Sequence, residues 1–118
     1  MRYLIFTDIH GNMEAFQSVL KAVRKKKIDH YIFLGDLVGY GASPNEVIQK
    51  ILTLKPLSII RGNHDKAVSG LDSVQTFNPI AAAAIFWTKN TITRKNLDFL
   101  VRLKQGPEIV QDAITICH

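Results

Sequence analysis

The first half of the chain alternates short apolar runs with stretches that repeat at helical spacing. Arg2 to Thr7 is a brief apolar run and predicts a strand. Phe16, Val19, Leu20 and Val23 recur at i, i+3, i+4 and i+7, which predicts an amphipathic helix from Met13 to about Lys26. His30 to Leu34 predicts a second strand. Ser43-Pro44-Asn45-Glu46 reads as a capping box with proline at the first helical position, and Val47, Ile48, Ile51 and Leu52 supply that helix with a buried face. Pro56 ends it, and Leu57 to Ile60 predicts a third strand.

Beyond Asp65 the pattern changes. Ser69 to Thr76 reads as a loop. Asn78-Pro79 opens a helix reaching about Thr91, with Ile80, Ala83, Ala84 and Trp87 expected on its inner face. Thr93 caps a further helix to Leu103, with Leu97, Leu100 and Val101 inward. Gln105-Gly106-Pro107 is a turn, and Glu108 to Gln111 and Ala113 to Cys117 read as two strands joined at Asp112.

Strand, helix, strand, helix, strand in close succession argues for parallel β-α-β units and an α/β fold. Ligands of such sheets sit beyond the carboxyl ends of the strands. Three polar motifs fall there: Asp8-Ile9-His10-Gly11-Asn12, Gly35-Asp36, and Gly62-Asn63-His64-Asp65. Strand order therefore brings three distant loops to one rim.

Size and composition narrow the classes. A chain of 118 residues that is 47% hydrophobic can build one domain, residues 1–118, but not two. No apolar run approaches the ~20 residues of a membrane span, and the start is too short and too soon acidic for a signal peptide. The single cysteine, Cys117, is expected to be a small buried strand residue; it excludes an internal disulfide framework and suits a reducing cytoplasm. The net charge of +5 fits a phosphate-bearing or nucleic-acid partner without identifying one. Its densest cluster, Arg24 to Lys27, is read more simply as cations at the negative end of a helix.

Each motif alone is weak. Asp8 and Asp36 are also good helix caps, His10 and His64 ordinary surface residues, and Asn63 a turn former. All three motifs in order, each closing a parallel strand, form a specific signal. Carboxylate, imidazole and amide donors without thiolate suit Mn, Fe, Co, Ni or Zn. Other phosphate chemistries fit worse. There is no Asp-x-Asp after the first strand, no acidic pair of a phospho-receiver, and no Gly-x-x-x-x-Gly-Lys-[Ser/Thr] loop.

Asp-x-His, then Gly-Asp, then Gly-Asn-His-Asp resembles the calcineurin-like metallophosphoesterase superfamily. Gly35-Asp36-Leu37-Val38-Gly39-Tyr40-Gly41 and Phe77-Asn78-Pro79 are similar to its small prokaryotic phosphodiesterase branch. The resemblance implies the N-terminal part of an α/β sandwich, four-layered αββα when complete. It also implies a site of two divalent cations, manganese first among them. Asp8 and His10 would hold the first metal, Asp36 would bridge both, and Asn63 would bind the second. His64 would act beside the substrate phosphate. Asp65, its neighbour in sequence, is expected from adjacency alone to orient the ring. The implied reaction is hydrolysis of a phosphodiester or phosphomonoester by a hydroxide shared between metals ~3.5–4 Å apart. Gly39-Tyr40 stands where the protein phosphatase branch has Asp-Arg, which argues against a protein phosphatase. Ile114 to His118 resembles the strand that carries a later ligand, so His118 would bind the second metal. The family's Gly-His-x-His motif does not follow, which leads us to expect a truncated site and weak or absent activity. A non-catalytic remnant that binds metal or a phosphorylated partner is the alternative. An open sheet edge would favour a homo-oligomer.

Overall fold

The computed structural model describes residues 1–118. Strands β1 (Tyr3–Phe6), β2 (His30–Phe33) and β3 (Ser58–Ile59) form a parallel sheet in the order β1-β2-β3. Tyr3 pairs with His30, Phe6 with Phe33, and Phe33 with Ile59. Helices α1 (Met13–Val23), α2 (Pro44–Thr53), α3 (Asn63–Val68), α4 (Pro79–Thr91) and α5 (Arg94–Val101) follow in chain order around it. Strands β4 (Glu108–Val110) and β5 (Ile114–Ile116) form an antiparallel hairpin.

Side chains alternate across a strand, so neighbours in β2 serve opposite faces. Phe33 enters the larger core with Phe6, Phe16, Val47, Ile48, Ile51, Ile85 and Leu100, and thus joins the sheet to the helices. Phe6 stacks on Phe33 at 5.2 Å between ring centres, and Phe16 meets Phe6 edge-on at 5.0 Å. Ile32 turns the other way and packs with Ile60, Val110 and Ile116 against the hairpin. The layers are helices, sheet and hairpin, a mixed α/β arrangement that agrees with the sequence reading.

The differences are local. Helix α1 stops at Val23, and Arg24 to Lys27 lie beyond it. Extending it would carry the chain away from the sheet, where Asp29 N–H donates to Arg2 C=O at 2.9 Å. Ser43 makes no side-chain cap; its N–H instead donates to Gly11 C=O at 2.9 Å and pins α2 to the first motif loop. Helix α3 was not legible, because its start is the polar motif itself, and a 3₁₀ turn at Val74–Thr76 interrupts the expected loop. Helix α4 buries Ala81, Ile85 and Thr88, and leaves Ile80 76% and Trp87 45% exposed. It is apolar on nearly every side, so periodicity does not choose its inner face and packing on α3 does. In α5, Asn96 and Leu100 are buried while Val101 is exposed; Asn96 Nδ2 donates to Asn45 Oδ1 at 2.8 Å and ties α5 to α2. Cys117 follows β5 and is exposed, contrary to the buried position expected, because the strand ends at Ile116.

Candidate metal centre

The β1–β2 ladder does not stop where the strands do. Leu34 N–H donates to Phe6 C=O at 2.8 Å, Asp8 N–H to Gly35 C=O at 3.1 Å, His10 N–H to Asp36 C=O at 2.9 Å, and Gly11 N–H to Leu37 C=O at 2.8 Å. The first two motif loops are thereby zipped side by side. The third is fastened to the second through α3: His64 N–H donates to Asp36 Oδ1 at 2.9 Å.

Asp8, His10 and Asp36 adopt left-handed backbone at φ 57°, 51° and 52°. Each such residue costs about 1–2 kcal/mol relative to an ordinary conformation. Three ligand-type side chains share this strain at one rim, and strain of this kind concentrates at functional sites.

The donors converge on Asp36. His10 Nε2 lies 3.3 Å from Asp8 Oδ1 and 3.6 Å from Asp36 Oδ2. On the other side His118 Nε2 lies 3.5 Å from Asp36 Oδ2 and 3.1 Å from Asn63 Oδ1. Although His118 is the last residue, it is not frayed: its Nδ1 meets Leu34 C=O at 2.7 Å. His10 is held the same way, with Nδ1 3.2 Å from Val38 C=O. A carbonyl only accepts, so each Nδ1 carries a proton, and in the neutral ring each Nε2 presents a lone pair inward. This is how a metal-binding histidine is oriented by its outer partner.

With both rings neutral, the cluster is a ring of acceptors. Asn63 Oδ1 adds to it, at 3.3 and 3.1 Å from the two Asp36 oxygens. Without a cation the amide would gain by turning over to donate. With one, the oxygen-inward orientation is favoured. Donors held about 2.0–2.2 Å from one ion lie about 3.0–3.5 Å apart, close to the spacings seen. The donor set therefore fits divalent cations. The Thr7 hydroxyl bonded to Asp8 Oδ2 is the main cause that holds this carboxyl below its usual range, burial opposing; the nearby histidines act in the same sense as Thr7.

His64 lies beside the ring. One donor atom each from His10, Asp36 and His64 fall within 4.8 Å of one another, so these three form an overlapping set. His64 is buried, packed by Phe77 at 5.0 Å, His10 at 4.7 Å and Tyr40 at 4.9 Å between ring centres. Its Nδ1 is enclosed with no partner. Gly39, at φ 93°, leaves room for it: a Cβ there would stand 2.6 Å from Nδ1. Desolvation pushes the imidazole below its ordinary pKa, the Asp36 carboxylate opposing.

Asp65 does not reach the His64 ring, contrary to the role expected of it. Its Oδ1 accepts from Leu37 N–H at 2.9 Å and Val38 N–H at 3.2 Å, and its Oδ2 accepts from Gly62 N–H at 2.9 Å. It organises the loops instead. Burial, only partly countered by these N–H groups, pushes its carboxyl up to about 7. Side chains at successive helical positions diverge, which is why adjacency misled. The sequence also missed the carbonyls of Leu34 and Val38, since backbone groups leave no residue-type signal.

The sequence profile of the calcineurin-like phosphoesterase family matches residues 1–112. Protein MJ0912 of Methanocaldococcus jannaschii, itself uncharacterised, is 44% identical over 110 residues, which are 93% of this chain and 44% of that protein. A metallophosphoesterase from Sphaerobacter thermophilus superposes with a TM-score of 0.74 at 35% identity, over 94% of this chain and 44% of its own. A proposed diadenosine tetraphosphatase superposes with a TM-score of 0.67 at 26% identity, over 86% and 42%. The chain thus spans less than half the length of the relatives it matches.

Proposed function

The chain belongs to the calcineurin-like phosphoesterase family, and from that premise we propose that it contributes the larger share of a dinuclear centre for hydrolysing phosphodiesters or phosphomonoesters. The observation that carries the reading is the matched pair of histidines. His10 and His118, far apart in sequence, both have Nδ1 fixed on a backbone carbonyl and both aim Nε2 at Asp36 Oδ2. Asp8, His10 and Asp36 make one site, and Asp36, Asn63 and His118 the other. When bound, the cations supply the charge that activates water and holds the phosphoryl oxygens.

The chain's own residues do the rest. Asp36 serves two purposes: Oδ1 accepts from α3, which fixes the carboxylate, and Oδ2 stays free for the cluster. His64 is neutral near pH 7 because burial disfavours its cation. An enclosed lone pair costs less than an enclosed N–H, so Nδ1 is the bare nitrogen and the proton sits on Nε2. From there the Nε2–H can hydrogen-bond the leaving oxygen and hold the charge that develops on it. Asp65 acts only by holding the Gly62 turn and the Leu37–Val38 loop in register.

Manganese is the metal we assign first, with Fe, Co, Ni or Zn compatible with the same donors. The resemblance to a proposed diadenosine tetraphosphatase favours a nucleotide as substrate. We further propose self-association through apolar surface beside the strand edges, where Ile5 is 49% and Ile109 68% exposed. A monomer by light scattering at tens of micromolar (roughly the range where exposed edges associate) would refute it. No helix is long and apolar enough to cross a membrane. The exposed thiol of Cys117 suits the reducing cytoplasm we propose.

The test is calorimetric titration with Mn²⁺. The wild-type chain should bind, and Asp36→Ala should abolish binding to both sites at once, since both share its Oδ2. Unchanged binding in that variant refutes the assignment. Two ions per chain favour catalysis; one or none favours the non-catalytic alternative.

A further inference from the structure

Tyr40 is placed at a cost that packing does not repay. Its backbone is left-handed, φ 61°, an outlier for a bulky residue. It stands between Gly39 and Gly41 at the tip of a loop pressed onto the first motif: Gly41 N–H donates to His10 C=O at 2.7 Å, and a Cβ on Gly41 would be 2.3 Å from that oxygen. The loop is thus fixed, and with it the point from which the ring extends. Yet Tyr40 remains 48% exposed and joins neither apolar core. Its ring centre lies 5.1 Å from His10 and 4.9 Å from His64, the two imidazoles beside the cluster.

We propose that Tyr40 is a specificity-determining residue whose exposed ring stacks on a planar aromatic group carried by the phosphate ester, either an aryl group or a nucleobase. The proposal rests on the phosphoesterase reading of the same rim. A phosphate at the cluster would carry its substituents along the rim that Tyr40 borders, and aromatic rings pair at centroid separations of ~4.5–7 Å. The ring rather than the hydroxyl makes the contact, because it is the ring that borders both imidazoles. A side chain with two χ angles on a fixed loop also loses little conformational freedom when a ligand stacks on it.

Binding of four ligands to the Zn²⁺-loaded protein tests this: methyl phosphate, phenyl phosphate, ribose 5-phosphate and adenosine 5′-monophosphate. Wild type should bind phenyl phosphate more tightly than methyl phosphate, or the nucleotide more tightly than the sugar phosphate, by roughly tenfold. The pair that shows the gain identifies an aryl or a nucleobase source. Tyr40→Leu should erase the gain and leave methyl phosphate binding unchanged, while Tyr40→Phe should keep it. The ring resonances of Tyr40, the set among three tyrosines that Tyr40→Phe removes, should shift with the aromatic ligand and not with its aliphatic counterpart. Equal affinity of wild type for aromatic and aliphatic phosphates overturns the Tyr40 proposal alone. So does an equal loss for all ligands in Tyr40→Leu, or loss of the gain in Tyr40→Phe. No binding of any phosphate by the metal-loaded protein overturns the phosphoesterase reading as well.

Discussion

Gly62→Ala tests how the third motif is built. Gly62 has φ −91°, which any residue adopts, so glycine is not required there by backbone conformation. Space requires it. A Cβ at position 62 would lie 2.0 Å from Asp36 Oδ1, 2.4 Å from Asp36 N and 2.7 Å from Asp36 Cγ. Ordinary contact needs about 3.4 Å or more, so the shortfall exceeds about 1 Å against both the carboxylate and the main chain. The main chain cannot yield, because Asp36 is held in the ladder extension by His10 N–H. Either α3 withdraws, breaking the His64 N–H bond to Oδ1, or the carboxylate turns and takes Oδ2 out of the cluster. Overpacking of this kind costs about 1–3 kcal/mol of stability. Misplacing a shared ligand should lower metal affinity by about 10–100-fold or more, as loss of an orienting partner does elsewhere. Urea unfolding in chelator reads the first effect and Mn²⁺ calorimetry the second. Wild-type metal affinity together with a stability loss under about 0.5 kcal/mol would refute the close-approach argument.

Two further outcomes follow from the buried titratable groups. The Asp65 carboxyl is raised from 3.8 to about 7, so its contribution to stability is fully present below the lower value and is lost as pH rises through the upper one. The urea midpoint in chelator should decline across that window, and Asp65→Asn should flatten the decline; an unchanged slope in the variant would exclude Asp65 as its source. His64→Ala should leave Mn²⁺ binding within about twofold and lower turnover of bis(4-nitrophenyl) phosphate by about 10²-fold, the scale of losing one oriented hydrogen-bond donor to developing charge. A parallel loss of metal affinity would instead make His64 a ligand.

The sequence by itself determined the α/β class, the parallel β-α-β succession of the first half, and the rim where the three polar motifs sit. It could do so because period-2 and period-3.6 patterns are written in residue types, and parallel strands force their carboxyl ends to one side. The donor side chains at positions 8, 10, 36 and 63 were legible for the same reason, as polar residues at the ends of apolar runs. Only the tertiary structure decided which face α4 buries, because a helix apolar all round carries no periodic signal. It alone gave Asp65 to the backbone rather than to His64, since adjacency in sequence does not fix the direction of a side chain. It alone set the tautomers of His10 and His118, because those depend on the carbonyls of Val38 and Leu34, groups that every residue possesses and only folding brings near. The glycine at position 62 shows the division most clearly. The sequence places it at the head of the third motif, but the reason for glycine is the close approach of Asp36, and an approach between distant residues exists only once the chain has folded.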